Sequence, residues 1–301
     1  MSKSDARLGE KGSRYRWGFL QPESGVNLLL SSSANSSECR LGMRENKVRV
    51  ALKVGKPAVG TMITEFRTPE IARILASSGF DFVFIDTEHA AFDLETVTDI
   101  IRAGRAVGLV CMVRVPDAEY HLIARALDIG AEGLLVPRVE SRQQVESIVR
   151  WAKYPPLGVR GFGVRGIISD YRKAAVKEWI QELNENTMVV IQIEKKRAIE
   201  SIDDLVSVDG VDAALIGPYD LSISLGVPGE FDSSVFNEAI QKVVDACKRH
   251  GVASGTHVRD MESLLFWRDR GMRLLTYSSD VGLIMSSASD AVSTIKAFSK
   301  L

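Results

Sequence analysis

Several apolar runs of strand length end in side chains that could do chemistry. In FVFIDTEHAAFD (82–93), four core-type residues give way to Asp86, Glu88 and His89. VCMVRV (110–115) carries Arg114, VVIQIE (189–194) ends in Gln192 and Glu194, and ALIGPYD (214–220) runs into Asp220. Two carboxylates with no histidine or cysteine pair at ligand spacing point away from zinc. They suit an octahedral Mg2+ or Mn2+, with Co2+ a third candidate. Such an ion leaves positions open for a 2-oxo acid, which chelates through its carboxylate and keto oxygens, and acts as a Lewis acid for the enolate. Arg114 would add positive charge at the same oxygen. His89 is the side chain best suited to move a proton near neutral pH, with Asp86 as the group that orients its ring. The backbone of Gly217, Pro218 and Tyr219, ahead of a short helix, offers N–H groups to a carboxylate, proline excepted.

Ordinary explanations compete residue by residue. Asp93 is a good N-cap for a helix starting at 94. Arg114 could be a surface cation, and Asp220 or Ser222 a turn cap. Gln192 and Glu194 share one face of their strand, so both point into a barrel or both toward its helices. Further polar pairs, Pro137–Arg138 and Thr256–His257, close two more runs. Six such clusters at one set of strand ends favour a site over coincidence.

A site of this kind needs strands that deliver their C-terminal ends to one rim. From about residue 46, eight apolar runs (58–64, 82–86, 110–115, 133–137, 188–194, 212–216, 252–257, 273–278) alternate with helical patterns. The runs are continuous rather than alternating, as in strands buried on both faces. Helices are expected at 69–79, 94–107, 120–130, 141–152, 197–206, 235–250, 259–270 and 280–299. Eight such pairs predict an α/β fold, a (β/α)8 TIM barrel over 46–301. A doubly wound sheet is the alternative, but GTMITEFRTPE after the first run lacks the G-x-G-x-x-G fingerprint. The connection 155–187 is long and opens with PPLGVRGFGVRG, holding Arg160 and Arg165, which marks it as functional. Residues 1–45, with the serine-rich SSSANSSE, are expected to be a disordered extension.

The 301 residues are 45% hydrophobic, enough for a large core. The net charge of −1 gives no footprint for nucleic acid or an anionic membrane. No run is long enough for a membrane span. Three widely spaced cysteines, Cys39, Cys111 and Cys247, form no disulfide framework and fit a reducing, cytoplasmic setting.

GFDFVFIDTEHAAFD, VRVP, GAEGLLVPRVES, YPPLGVRGFG, VVIQIE and VDAALIGPYDLSISLG, in this order, resemble the class II 2-oxo acid aldolases. That family is typified by 4-hydroxy-2-oxoheptane-1,7-dioate aldolase and 2-dehydro-3-deoxyglucarate aldolase. The resemblance spans about 46–300 and implies a barrel of the phosphoenolpyruvate/pyruvate-binding type. It implies metal-dependent cleavage of a 4-hydroxy-2-oxo acid, such as a diacid or sugar acid, to pyruvate and an aldehyde. It also implies a homo-oligomer, a hexamer, with the last helix packed on a neighbouring subunit. His89 then matches the catalytic histidine, Asp86 its paired aspartate, and Arg114 the arginine that stabilises the enolate. Glu194 and Asp220 match the metal ligands, and Gln192 the glutamine near the oxo acid. Two positions depart from the pattern: Tyr219 replaces a small residue, and His257 falls where an apolar residue contacts substrate. Both bear on the identity of the aldehyde. Other readings are a citramalyl- or malyl-coenzyme A lyase-like enzyme, a Schiff-base aldolase using Lys195, and a non-catalytic barrel.

Overall fold

Eight apolar runs form eight parallel strands: β1 Ala58–Ile63, β2 Phe82–Asp86, β3 Val110–Arg114, β4 Gly133–Val136, β5 Met188–Ile193, β6 Ala213–Ile216, β7 Ala253–Val258 and β8 Leu274–Ser279. Each pairs with the next, and β8 pairs with β1, so the sheet closes into a barrel. This computed structural model describes residues 45–164 and 166–298. The expectations for residues 1–44 and for Arg165 lie outside them.

The connecting helices are α1 Lys47–Lys53, α2 Glu70–Ser77, α3 Leu94–Ala106, α4 Tyr120–Asp128, α5 Arg142–Ala152, α6 Gly166–Ser169 and α7 Val176–Asn186. They continue with α8 Lys196–Glu200, α9 Ile202–Val206, α10 Pro218–Ser224, α11 Ser234–His250, α12 Met261–Asp269 and α13 Asp280–Phe298. Asp93 caps α3 as its sequence position implies, accepting from the Thr96 N–H at 2.8 Å. No helix among the described residues is long and apolar enough to cross a membrane.

Side chains alternate across each strand, and this sorts the apolar runs into two cores. Val83, Ile85, Cys111, Val113, Val189 and Ile191 pack outward against the helices. Phe82, Phe84, Val110, Met112, Met188 and Val190 fill the barrel, with Leu135, Leu215 and Leu274. The same period carries the inner face upward to Asp86, Arg114, Gln192, Gly217 and His257.

The opposite end of the barrel is stoppered. Val48 and Leu52 of α1 join the inner core. Asn46 caps α1 by accepting from the Arg49 N–H at 3.1 Å, and its amide donates to Glu132 O at 3.0 Å. Arg49 Nε meets Asp212 Oδ1 at 2.6 Å. The first four residues of α1, KVRV, alternate charged and apolar with the period of a strand, which obscures the helix to pattern reading.

The segment 155–187 is not an irregular loop. It holds α6 and α7, and Tyr154, Ile168, Trp179 and Leu183 make a small core of their own. Arg160 is buried, bonded to Asp128 Oδ1 at 2.7 Å and lying 4.7 Å above the Tyr154 ring. Its role is to hold that segment, and it does not line the cavity at the strand ends.

Candidate active site

Asp86 and Arg114 are register partners on β2 and β3, so both point inward at one level. Arg114 donates twice to the carboxylate, Nε to Oδ1 at 2.9 Å and Nη2 to Oδ2 at 2.6 Å. Burial alone would raise the Asp86 pKa, but the hydrogen bonds and charge of Arg114, with two backbone N–H groups, hold it below the usual range.

Those N–H groups belong to Glu88 (2.9 Å) and His89 (3.3 Å). Asp86 therefore fixes the backbone under His89 and does not touch its ring, which corrects the expectation that it orients the imidazole. The two Arg114 donors and the two backbone N–H groups together take up the roughly four acceptor positions of this carboxylate. The carboxylate beside the ring is Glu88, with Oε2 3.8 Å from His89 Nε2.

Glu88 is 6% exposed and ion-paired to Arg138 Nη1 and to Arg114 Nη1, the latter at 3.5 Å. Burial, reinforced by the Glu194 charge, pushes its pKa up despite both arginines. Pattern reading gave Glu88 no chemical part, because its neighbours in space come from β3 and β4. His89 itself is 67% exposed at the rim.

Gln192 and Glu194 both face inward, which settles the choice left by their shared strand face. Glu194 Oε1 accepts the Arg138 N–H at 2.7 Å, and Oε2 accepts from Gln192 Nε2. Arg138 reaches that geometry with φ at 54°, a left-handed conformation that costs a non-glycine residue about 1–3 kcal/mol. It is a site residue that the sequence marks only by its place after β4. Gly217, beside them just past the end of β6, leaves no side chain between strands. A Cβ there would sit 2.9 Å from Gln192 Nε2 and 3.0 Å from Glu194 Oε2.

A cavity of about 70 Å³ opens over this cluster. Arg114, Gln192, Gly217, Pro218, Tyr219, Asp220 and His257 line it, above Met62, Phe84, Leu135 and Leu215. Tyr219 packs edge-on against Phe231, ring centroids 5.2 Å apart, with the Arg259 guanidinium 5.2 Å from its own ring. His257 Nε2 is 2.9 Å from Ser278 O. Burial pushes the His257 pKa down to about 4, leaving the imidazole neutral. Lys195 stands at the N-terminal boundary of α8 and does not line the cavity.

Among the described residues no three histidine, cysteine, aspartate or glutamate side chains gather as a ready-made metal cage. The oxygen donors nearby are exposed Asp220 and Gln192, which line one cavity, and Glu194, which accepts from Gln192 Nε2; Gln192 Oε1 is buried without a hydrogen-bond partner. That set suits a hard divalent cation that keeps several positions for water or substrate.

The chain is similar to known proteins. The family described as HpcH/HpaI aldolase/citrate lyase matches residues 62–287. A hydroxypyruvate/pyruvate aldolase of Delftia acidovorans is 33% identical over 243 residues, covering 81% of this chain and 90% of its own. A 5-keto-4-deoxy-D-glucarate aldolase of Shigella dysenteriae is 30% identical over 254 residues, covering 83% and 97%. The crystal structure of an HpcH/HpaI aldolase from Desulfitobacterium hafniense is similar at a TM-score of 0.79 and 37% identity, over 82% of this chain and 96% of that one. Sequence match and closed barrel agree, and the chain belongs to the HpcH/HpaI aldolase/citrate lyase family.

Proposed function

We propose that this protein is a metal-dependent aldolase that cleaves a 4-hydroxy-2-oxo acid reversibly to pyruvate and an aldehyde. The observation that carries the reading is the meeting of Arg114, Gln192 and Asp220 on one cavity, with Glu194 against its Gly217 wall. Glu194 and Asp220 would hold Mg2+, Mn2+ or Co2+, which when bound supplies Lewis acidity to the oxo acid.

The chain's own groups do the rest. Asp86 grips one edge of the Arg114 guanidinium through Nε and Nη2 and so holds its fixed positive charge at the cavity, beside the oxygen that becomes negative. Gly217 keeps the substrate's approach to Gln192 and Glu194 clear. In cleavage His89 takes the proton of the C4 hydroxyl, the C3–C4 bond breaks, and its electron pair becomes the enolate. Protonation at C3 then gives pyruvate. Glu88, near His89 Nε2, supports the charged imidazole.

We also infer a cytoplasmic homo-oligomer, a hexamer by family resemblance. The support is α13, whose Val281, Ile284, Met285 and Val292 lie exposed. An apolar helix face of this kind calls for a second copy of the chain.

Exchange of the pyruvate C3 protons with deuterated solvent tests the enolate half without knowledge of the aldehyde. Exchange should require divalent metal, vanish with EDTA, and return when Mg2+ or Mn2+ is restored. His89→Ala should slow it while leaving metal affinity largely intact. Covalent trapping of substrate by borohydride would overturn the metal-dependent reading in favour of a Schiff base.

A further inference from the structure

His89 stands on a loop rather than on a strand, so its place depends on what holds residues 87–92. On the N-terminal side the hold is dense. Thr87 donates to Arg114 O through its N–H at 3.0 Å and its hydroxyl at 2.6 Å. Asp86 accepts the N–H groups of Glu88 and His89. On the other side, between His89 and the Asp93 cap of α3, the loop has one hydrogen bond among the described residues. It runs from Arg67 Nη2 to Ala91 O at 2.6 Å. The same guanidinium lies 5.9 Å from the Phe92 ring centroid.

Arg67 is exposed and belongs to the turn after β1, which is fixed from the far end of the chain. Asp280, buried at 1% exposure, accepts five hydrogen bonds. Its Oδ1 takes the Thr64 N–H at 3.1 Å, the Thr64 hydroxyl at 2.8 Å and the Val281 N–H at 2.8 Å. Its Oδ2 takes the N–H groups of Glu65 at 3.1 Å and Phe66 at 2.9 Å. Backbone N–H groups and the N-terminal end of α13 thus balance its charge. Asp280 also follows β8 without a connecting loop, since the strand ends at Ser279 and α13 starts at the next residue. The barrel wall therefore sets the carboxylate, the carboxylate sets the turn 64–66, and Arg67 reaches from that turn to the loop of His89.

We propose that Asp280 and Arg67 are positioning residues for His89. Asp280 fixes the turn after β1, and Arg67 carries that setting to Ala91, two residues beyond the imidazole. Neither residue touches substrate or moves a proton. With the Arg67 anchor gone, the loop is hydrogen-bonded on its N-terminal side alone, and the ring is free to swing away from the cavity. This rests on the reading of His89 as the proton carrier of the enolate chemistry above. It makes the first residue of α13 part of the scaffold behind that base.

The test is deuterium incorporation at C3 of pyruvate by the full chain with Mn2+, beside Mn2+ affinity by calorimetric titration. Arg67→Ala should lower kcat for exchange about ten-fold, with KM and Mn2+ affinity near the wild type, because only the placement of the base has changed. Arg67→Lys, which still donates to Ala91 O, should recover part of the loss. Asp280→Asn turns an NH2 toward groups that donate and should lower kcat by more. The deciding measurement repeats Arg67→Ala in the His89→Ala background. A residue that acts through His89 then has nothing to position, so the remaining rate should not change. Full activity in Arg67→Ala, or in folded Asp280→Asn, overturns the proposal. So does an equal fold-loss with and without His89, which would place the effect on metal or substrate binding. Should Asp280→Asn fail to fold, the Arg67 variants and the double variant decide. A His89→Ala variant that exchanges at the wild-type rate would instead sink the reading of His89 on which this stands.

Discussion

Arg114 reaches across from β3 to hold Asp86 on β2 with two hydrogen bonds of 2.9 and 2.6 Å, both residues being almost fully enclosed. The pair shows how a carboxylate three positions before His89 serves the arginine rather than the histidine. Its energetics also set the first prediction.

Asp86→Asn leaves the Arg114 charge buried without its main partner, which costs about 3–5 kcal/mol of stability at neutral pH. Because the folded-state pKa of Asp86 lies below the unfolded value near 3.9, its contribution is complete above about pH 4 and is lost as pH falls through the folded pKa. Urea unfolding at neutral and acid pH should therefore show the wild type losing stability on acidification more steeply than the variant. Parallel acid limbs would deny the linkage.

Arg138 combines a left-handed backbone with an N–H that Glu194 needs. Glycine tolerates that φ and alanine does not. Arg138→Gly should be more stable than Arg138→Ala by about 1 kcal/mol, although both lose the ion pair to Glu88. Chemical denaturation of the two variants measures the difference directly.

Gly217 has an ordinary φ of −93°, so alanine there strains nothing in the backbone. Its Cβ instead presses on Gln192 and Glu194. Displacement of such groups by an ångström costs on the order of 100-fold in rate. Gly217→Ala should thus fold, bind Mn2+ more weakly by calorimetric titration, and lose activity by about that factor. Unchanged metal affinity would remove Glu194 from the metal site.

The face of α13 carrying Met285 and Val292 is exposed, Met285 by 61%. If it packs on another copy of the chain, Met285→Glu with Val292→Glu should lower the mass measured by light scattering. A wild type that is already monomeric would end the oligomer proposal.

Much of this protein is legible in one dimension. Eight apolar runs predicted eight strands within a residue or two of their ends, because a strand buried on both faces must be apolar throughout. Period two then put Gln192 and Glu194 on one face of their strand, while Asp86 and Arg114 were legible only as the polar ends of the second and third runs, with His89 just beyond. What period two leaves open is which face looks inward, and which polar groups meet once the barrel closes. Glu88 finds Arg138, Arg138 finds Glu194, and Asp86 leaves the imidazole for Arg114, each across strands that only the closed sheet brings together. The packing of α1 is tertiary too, since Val48 and Leu52 join an inner core that exists only once the barrel closes. Sequence fixes which chemistry is carried to each strand end, because that depends on local period. Tertiary structure decides which charges pair there, because pairing depends on distances between strands far apart in the chain.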